Sequence, residues 1–199
     1  MFRTLTLFVA FGMLILAVSC AEEPKKEEAA PTPAAAQPAA ETKAEGPYYE
    51  LTKDDVTSHP DWTSMNVTFK GAKIGDKKAA IEKALGTAEK VDPIGTDHYR
   101  SVFGKSSFAI YTYKMTGELQ KIEIFGRSAD LIADPKFKKL LATGDLAFLH
   151  QAFGMEEKAE MNFDTTGMEY IYDAKGFRFA KYNLASGAVH SIIFSKIKK

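Results

Sequence analysis

Cysteine chemistry is possible at a single position, because Cys20 is the only cysteine of the 199-residue chain. It directly follows an apolar segment, Leu5 to Val18, and the small residue Ser19, while Arg3 places a positive charge ahead of that segment. Positive charge, a short apolar stretch and a small residue are the parts of a secretory signal peptide. The stretch is shorter than the roughly 20 apolar residues of a membrane-spanning helix. The pattern therefore predicts a signal peptide over residues 1–19.

The run Leu16-Ala17-Val18-Ser19-Cys20 resembles the lipobox of bacterial lipoproteins. This resemblance implies that Cys20 carries covalent lipid, and more than one acyl chain would hold the protein stably at a membrane. Ala21 and Glu22 replace the aspartate that often retains such lipoproteins in the inner membrane, so we expect the outer membrane of a bacterial envelope. A plain secretory signal with an incidental cysteine is the alternative.

Residues 20–46 are predicted to form the lipid anchor and a tether. Alanine, proline, glutamate and lysine dominate this segment, and it contains no bulky apolar side chain. Such a composition cannot bury enough apolar surface to offset the entropy lost on ordering. We expect a disordered tether that holds the following domain away from the membrane surface.

Other chemistry-bearing residues do not form a recognisable constellation in the sequence. Asp97-His98 is half of an acid–base pair without a nucleophile, and no Gly-rich phosphate loop or Gly-x-Ser-x-Gly motif occurs. The histidines are scattered, without a second histidine or a cysteine at metal-ligand spacing: His59, His98, His150 and His190. With 26 basic and 26 acidic residues, the chain lacks a charge pattern for nucleic acid. We expect no enzyme activity, cofactor, metal or nucleic-acid partner.

The elements that position the remaining candidates follow a pattern repeated 69 residues apart. In each copy a Gly-Asp pair opens a short helix, a glycine closes it, and strands joined by tight turns follow, so that Phe108 to Tyr113 corresponds to Phe177 to Tyr182. Tight turns require antiparallel pairing. The sequence predicts an α+β fold of two tandem units, repeat 1 at 47–127 and repeat 2 at 128–199. Each unit is a helix plus a three-stranded meander, and together they form a helix-on-sheet domain.

Six strands and two further helices are predicted. The strands are His98 to Phe103, Ser107 to Lys114, Glu118 to Phe125, Glu169 to Asp173, Phe177 to Asn183 and Ala188 to Ser195. The helices are Thr52 to Ser58, and Pro135 to Leu141 with Asp134 as its cap.

The opening Ile74-Gly75-Asp76, the helix end Leu85-Gly86 and the strand pattern, each present twice, resemble the beta-lactamase-inhibitor-protein-like fold, which includes the SmpA/OmlA lipoproteins. The resemblance covers roughly Ala72 to Phe194. It implies protein binding through the exposed face of the sheet, and it brings no catalytic residues.

Alternation along the strands predicts which residues form that exposed face. Large apolar residues share one side of each central strand, which leaves Tyr111, Tyr113, Arg178 and Tyr182 on the other. Tyrosine and arginine are favoured at recognition surfaces, so we expect these four residues to bind an envelope protein. Cross-strand tyrosines that serve only packing and solubility are the alternative.

Two further functions remain open at this level. A small-molecule or lipid carrier would need an apolar cavity between helix and sheet, lined by Phe108, Ile110, Phe177 and Phe179. The other is an inhibitor of a secreted or envelope enzyme, which enzymatic assays with candidate targets would distinguish. Non-catalytic protein binding at the envelope membrane is the function that the sequence favours.

Overall fold

Eleven strands and three short α-helices form the regular structure of the described part of the chain. The computed structural model describes residues 46–161, 166–184 and 187–197. Cys20, the signal peptide and the tether up to residue 45 lie outside these ranges, so the lipid anchor stays a prediction. Within the described ranges, no helix is long and apolar enough to cross a membrane.

A small sheet contains the first three strands: β1 (Tyr49–Glu50), β2 (Val67–Phe69) and β3 (Ala72–Lys73). The three helices are α1 (Lys78–Leu85), α2 (Pro135–Thr143) and α3 (Leu146–Phe153). The remaining strands are β4 (Lys90–Ile94), β5 (His98–Phe103), β6 (Phe108–Tyr113), β7 (Leu119–Phe125), β8 (Lys158–Met161), β9 (Gly167–Tyr172), β10 (Phe177–Leu184) and β11 (Gly187–Ser195).

The strands from β4 to β11 form one antiparallel sheet in the order β4-β5-β6-β7-β11-β10-β9-β8. This order is symmetric about the β7–β11 pair, so β6 and β10 are each third from an edge. The two segments that echo each other in sequence therefore occupy symmetric places in one continuous sheet. The division into two repeats at residues 127 and 128 stays a prediction.

The predicted fold class is wrong. The described chain is mostly β, with an eight-stranded sheet and a separate three-stranded sheet, and it does not form two units of one helix plus a three-stranded meander. The strands β4 and β8 were not predicted, because they are the exposed edges of the large sheet and lack the apolar alternation of half-buried strands. Pro93 within β4 also opposed a strand assignment, and proline is tolerated in strands mainly at edges.

Local sequence signals explain the start of α2. The Asp134 carboxylate accepts hydrogen bonds from the backbone amides of Lys136 and Phe137, both at 2.9 Å, and Pro135 occupies the first helical turn. This confirms the predicted helix and its cap. The predicted helix at Thr52 to Ser58 is wrong, since only a short 3₁₀ turn forms at Val56–Ser58.

The hydrophobic core lies between the helices and one face of the large sheet. Ile110, Ile122, Phe194 and Phe177 stand opposite one another across four neighbouring strands and are buried on this face. Phe137 of α2 contacts Phe177 and Phe194, and the small sheet contributes its own buried side chains to the same cluster. The helices and the small sheet therefore share one face, which we call the core face.

Candidate functional site

The opposite face of the large sheet, here called the second face, holds the predicted partner-binding tyrosines and arginine. Its residues are assigned by strand register, since residues directly opposite each other share a face. Five apolar residues of this face are buried yet lie outside the main core: Val102, Ala109, Ile171, Ala180 and Ile193. The second face therefore has an apolar base of its own.

A buried carboxylate, that of Glu123 in β7, lies at the centre of the second face with 3% of its surface exposed. It accepts hydrogen bonds from the hydroxyls of Tyr111 at 2.6 Å, Ser191 at 2.9 Å and Tyr182 at 3.1 Å. The Lys121 ammonium lies 3.7 Å from the carboxylate and 4.0 Å from the centre of the Tyr111 ring. Two of the four predicted binding residues thus meet at one acidic group.

The charges of this cluster fix its protonation. Burial alone would raise the pKa of Glu123, but the Lys121 charge and the three hydroxyl donors outweigh it and hold the pKa below its ordinary value. Burial, followed by the Glu123 charge, raises the pKa of Tyr111 and of Tyr182. At neutral pH a carboxylate therefore faces two protonated tyrosines, which keeps both rings in fixed orientations.

The other two predicted residues lie apart from Glu123. The Arg178 guanidinium pairs with the Glu169 carboxylate at 3.0 Å. Tyr113 stands at the end of β6, where its ring stacks on His98 with ring centres 4.6 Å apart. The structure therefore places Tyr111 and Tyr182 in one cluster and positions Arg178 and Tyr113 elsewhere. Whether these four residues bind a partner stays a prediction.

A cavity of about 450 Å³ lies on the core face, between α1 and the strands β4, β5 and β6. Ile81 of α1 lines it from the helix side. On the sheet side, Val91, Ser101 and Ile110 stand opposite one another on the three strands. Its volume lies within the roughly 300–1,000 Å³ of small-molecule sites.

Small side chains account for this space. At the symmetric places on the other half of the sheet, the opposed residues are Ala159, Tyr170 and Phe179, and the last two rings pack with centres 6.2 Å apart. In the first half, Ser101 stands where Tyr170 stands in the second. Ser101 and Ile110 therefore leave room that the rings of Tyr170 and Phe179 fill in the other half of the sheet.

Exposed apolar side chains gather at this cavity. Val91 and Tyr99 line it with 56% and 41% of their surfaces exposed, so the cavity is open to solvent. Clustered exposed apolar residues mark binding sites more often than scattered ones do.

The cavity is lined only in part by the residues that the sequence predicted for a carrier. Of the four lining residues expected from the sequence, Ile110 lines this cavity, while Phe108, Phe177 and Phe179 are buried in the core. Alternation identified the correct face, but it could not show which side chains fill the space beneath the helices. A serine among the apolar residues of the core face, at position 101, was the available signal for a gap.

Metal-binding geometry is lacking in the described part of the chain, where no group of three His, Cys, Asp or Glu side chains is placed to hold an ion. The Asp97-His98 pair lies at the start of β5, and His98 packs on Tyr113. The ring of His150 lies 2.9 Å from the Glu156 carboxylate. These positions describe packing and pairing, and the expected lack of enzyme activity stays a prediction.

Comparisons with known proteins add little. No protein-family model and no curated protein sequence matches the chain. Among solved structures, it is similar to a DUF4309 family protein (YjgB) from Bacillus subtilis, with 14% identity and a TM-score of 0.43 over 64% of this chain and 84% of that one. It is also similar to a cysteine-rich secretory protein (SAV1118) from Staphylococcus aureus, with 10% identity and a TM-score of 0.33 over 62% and 44%. Similarities this distant assign neither family nor function.

Proposed function

We propose that this protein is a non-catalytic binding protein of a bacterial envelope that holds a small molecule with an apolar body in the cavity beneath α1. The cavity of about 450 Å³ is the observation that carries this proposal. A carrier of this kind was one of the alternatives that the sequence left open.

The chemistry of the lining supports an apolar ligand with a few polar contacts. Ile81, Val91, Phe103 and Ile110 offer apolar surface, while the hydroxyls of Ser101, Thr112 and Thr87 are placed among them. Binding sites for small molecules commonly combine mostly apolar walls with a small number of polar groups that orient the ligand. Transfer of apolar surface from water into such a site supplies the main driving force.

The cellular setting of the proposal comes from the sequence. Lipid on Cys20 and the tether over residues 20–46 would keep the binding domain beside an envelope membrane, with the outer membrane as the favoured location. Apolar molecules are concentrated in and near membranes, so a tethered binding domain would meet its ligand there.

A cavity-filling substitution tests the proposal. Ser101→Tyr introduces a tyrosine at the position that corresponds to Tyr170 in the other half of the sheet. Because a tyrosine is accommodated there, we expect the variant to fold with unchanged or slightly raised stability. Affinity for the uncharged fluorescent probe N-phenyl-1-naphthylamine should fall at least about tenfold, or roughly 1.4 kcal/mol. Probe titrations and thermal melts measure the two quantities.

Met161→Tyr is the matched control, because it adds the same ring at an exposed position on β8, the opposite edge of the sheet. This control should bind the probe as the unsubstituted protein does. Equal probe affinity in a folded Ser101→Tyr variant would rule the cavity out as the binding site.

Protein binding through the second face is the second candidate function. The fixed tyrosine rings at Glu123, together with Arg178, favour it, since rigid aromatic residues and arginine dominate the binding energy of protein interfaces. The expected partner is another protein of the same envelope.

Arg178→Ala should weaken the binding of such a partner by about 2 kcal/mol, which is a roughly thirtyfold loss of affinity. Quantitative crosslinking in native membranes measures the loss. Arg127→Ala serves as control, because Arg127 is an exposed arginine that follows β7. Equal recovery of every crosslinked protein from both variants would remove Arg178 from the binding surface.

A further inference from the structure

The lysines around the cavity differ in their partners. Three lysines near the cavity form ion pairs. Lys78 pairs with Glu82 at 3.7 Å, Lys77 with Glu118 at 3.2 Å and Lys90 with Asp92 at 2.9 Å. Lys114 lines the cavity and forms no ion pair with any residue in the described ranges. Of the two lysines that line the cavity, Lys78 has a carboxylate partner and Lys114 has none in the described part of the chain.

Neutral contacts hold Lys114 in place. Its ammonium donates a hydrogen bond to the backbone carbonyl of Gly95 at 2.9 Å and lies 5.4 Å from the centre of the Tyr99 ring. Its backbone amide donates to the Asp97 carbonyl at 2.8 Å. The side chain is half-buried, so its ammonium is positioned by the protein rather than free in solvent. Positioning of this kind lowers the entropy lost when an anion binds.

The other charged residues that line the cavity pair with each other. Glu82 is the acidic residue of the lining, and Lys78, four residues earlier on α1, lies at ion-pair distance from it. The charge at the cavity that lacks an internal partner is therefore positive. A charge-assisted hydrogen bond to this ammonium would be stronger than one between neutral groups.

We infer that the ligand of this cavity is an amphiphile with a single anionic group, which pairs with Lys114 while its apolar body contacts Ile81, Phe103 and Ile110. This inference rests on the proposed function, because it names the ligand class of the same cavity. It predicts selection among molecules of equal length by the charge of their polar end.

Calorimetric titrations at neutral pH with octanoate, octanol and octylamine test the inference, since the three probes share an apolar chain and differ in charge. Octanoate should bind the unsubstituted protein at least about tenfold more tightly than octanol, and octylamine should bind most weakly. Lys114→Met should lower octanoate affinity at least about tenfold, to no more than that of octanol. Lys114→Arg should retain the preference.

Lys83→Met is the control, because Lys83 lies on α1 but does not line the cavity. It should behave as the unsubstituted protein does, and thermal melts should show that all variants fold. Equal affinities for octanoate and octanol, or a preference that survives Lys114→Met, would overturn the inference while leaving an apolar site intact. Failure of all three probes to bind would overturn the proposed function, and the inference with it.

Discussion

Phe137→Ala is expected to lower the free energy of unfolding by about 3–5 kcal/mol, which is the usual cost of removing a fully buried phenylalanine. Phe137 has 0% of its surface exposed and packs against four other aromatic rings. The ring centres lie 5.5 Å from Trp62, 5.2 Å from Phe153, 5.2 Å from Phe177 and 5.4 Å from Phe194. Truncation leaves a cavity where α2, α3 and the sheet meet.

Chemical denaturation of the domain without its tether measures this loss. Met155→Ala is the control: Met155 is exposed, so its truncation should change stability by no more than about 0.5 kcal/mol. A Phe137→Ala variant as stable as this control would mean that the aromatic cluster is not the centre of the fold.

Glu123→Ala should destabilise the domain by about 3 kcal/mol at neutral pH. Its loss leaves three hydroxyl donors, of Tyr111, Tyr182 and Ser191, without their acceptor on a buried surface. It also removes the carboxylate that faces Lys121. Denaturation experiments compare it with Glu118→Ala, which removes a surface carboxylate paired with two lysines and should cost no more than about 1 kcal/mol.

The effect of Glu123 depends on pH in a defined direction. Because its pKa is lower in the folded than in the unfolded state, its stabilisation is complete above the ordinary carboxyl pKa of about 4.3. The stabilisation is lost as the pH falls through the lowered folded value. The difference between the unsubstituted protein and Glu123→Ala should therefore shrink below about pH 4. A difference that stays constant down to pH 2 would contradict the assigned charge state.

Much of the local structure follows from the sequence. Alternation and turn residues located the six central strands to within about two residues, because these strands have one face in the core. The edge strands β4 and β8 escaped prediction because their side chains are mostly exposed and carry no such pattern. Pairing between the two halves, through β7 and β11, depends on long-range contacts that local pattern cannot specify.

The candidate sites show the same limit. Tyr111 and Tyr182 could be assigned to one face from alternation, but their shared partner Glu123 is 59 residues from Tyr182. An acidic residue flanked by Ile122 and Ile124 in a predicted strand was the available signal. The cavity depends on how α1 sits over Ser101, and a helix position is set by packing rather than by residue order.

Photo-crosslinking tests the central claim most directly. An alkyl diazirine, carrying no charged group, would be activated in the presence of the domain, and labelled positions would be identified by peptide mass spectrometry. We expect labels on α1, β4, β5 and β6, concentrated at Ile81, Val91 and Ile110, and much less labelling in Ser101→Tyr. Labels concentrated instead on the second face, around Tyr111 and Tyr182, or unchanged in Ser101→Tyr, would contradict it.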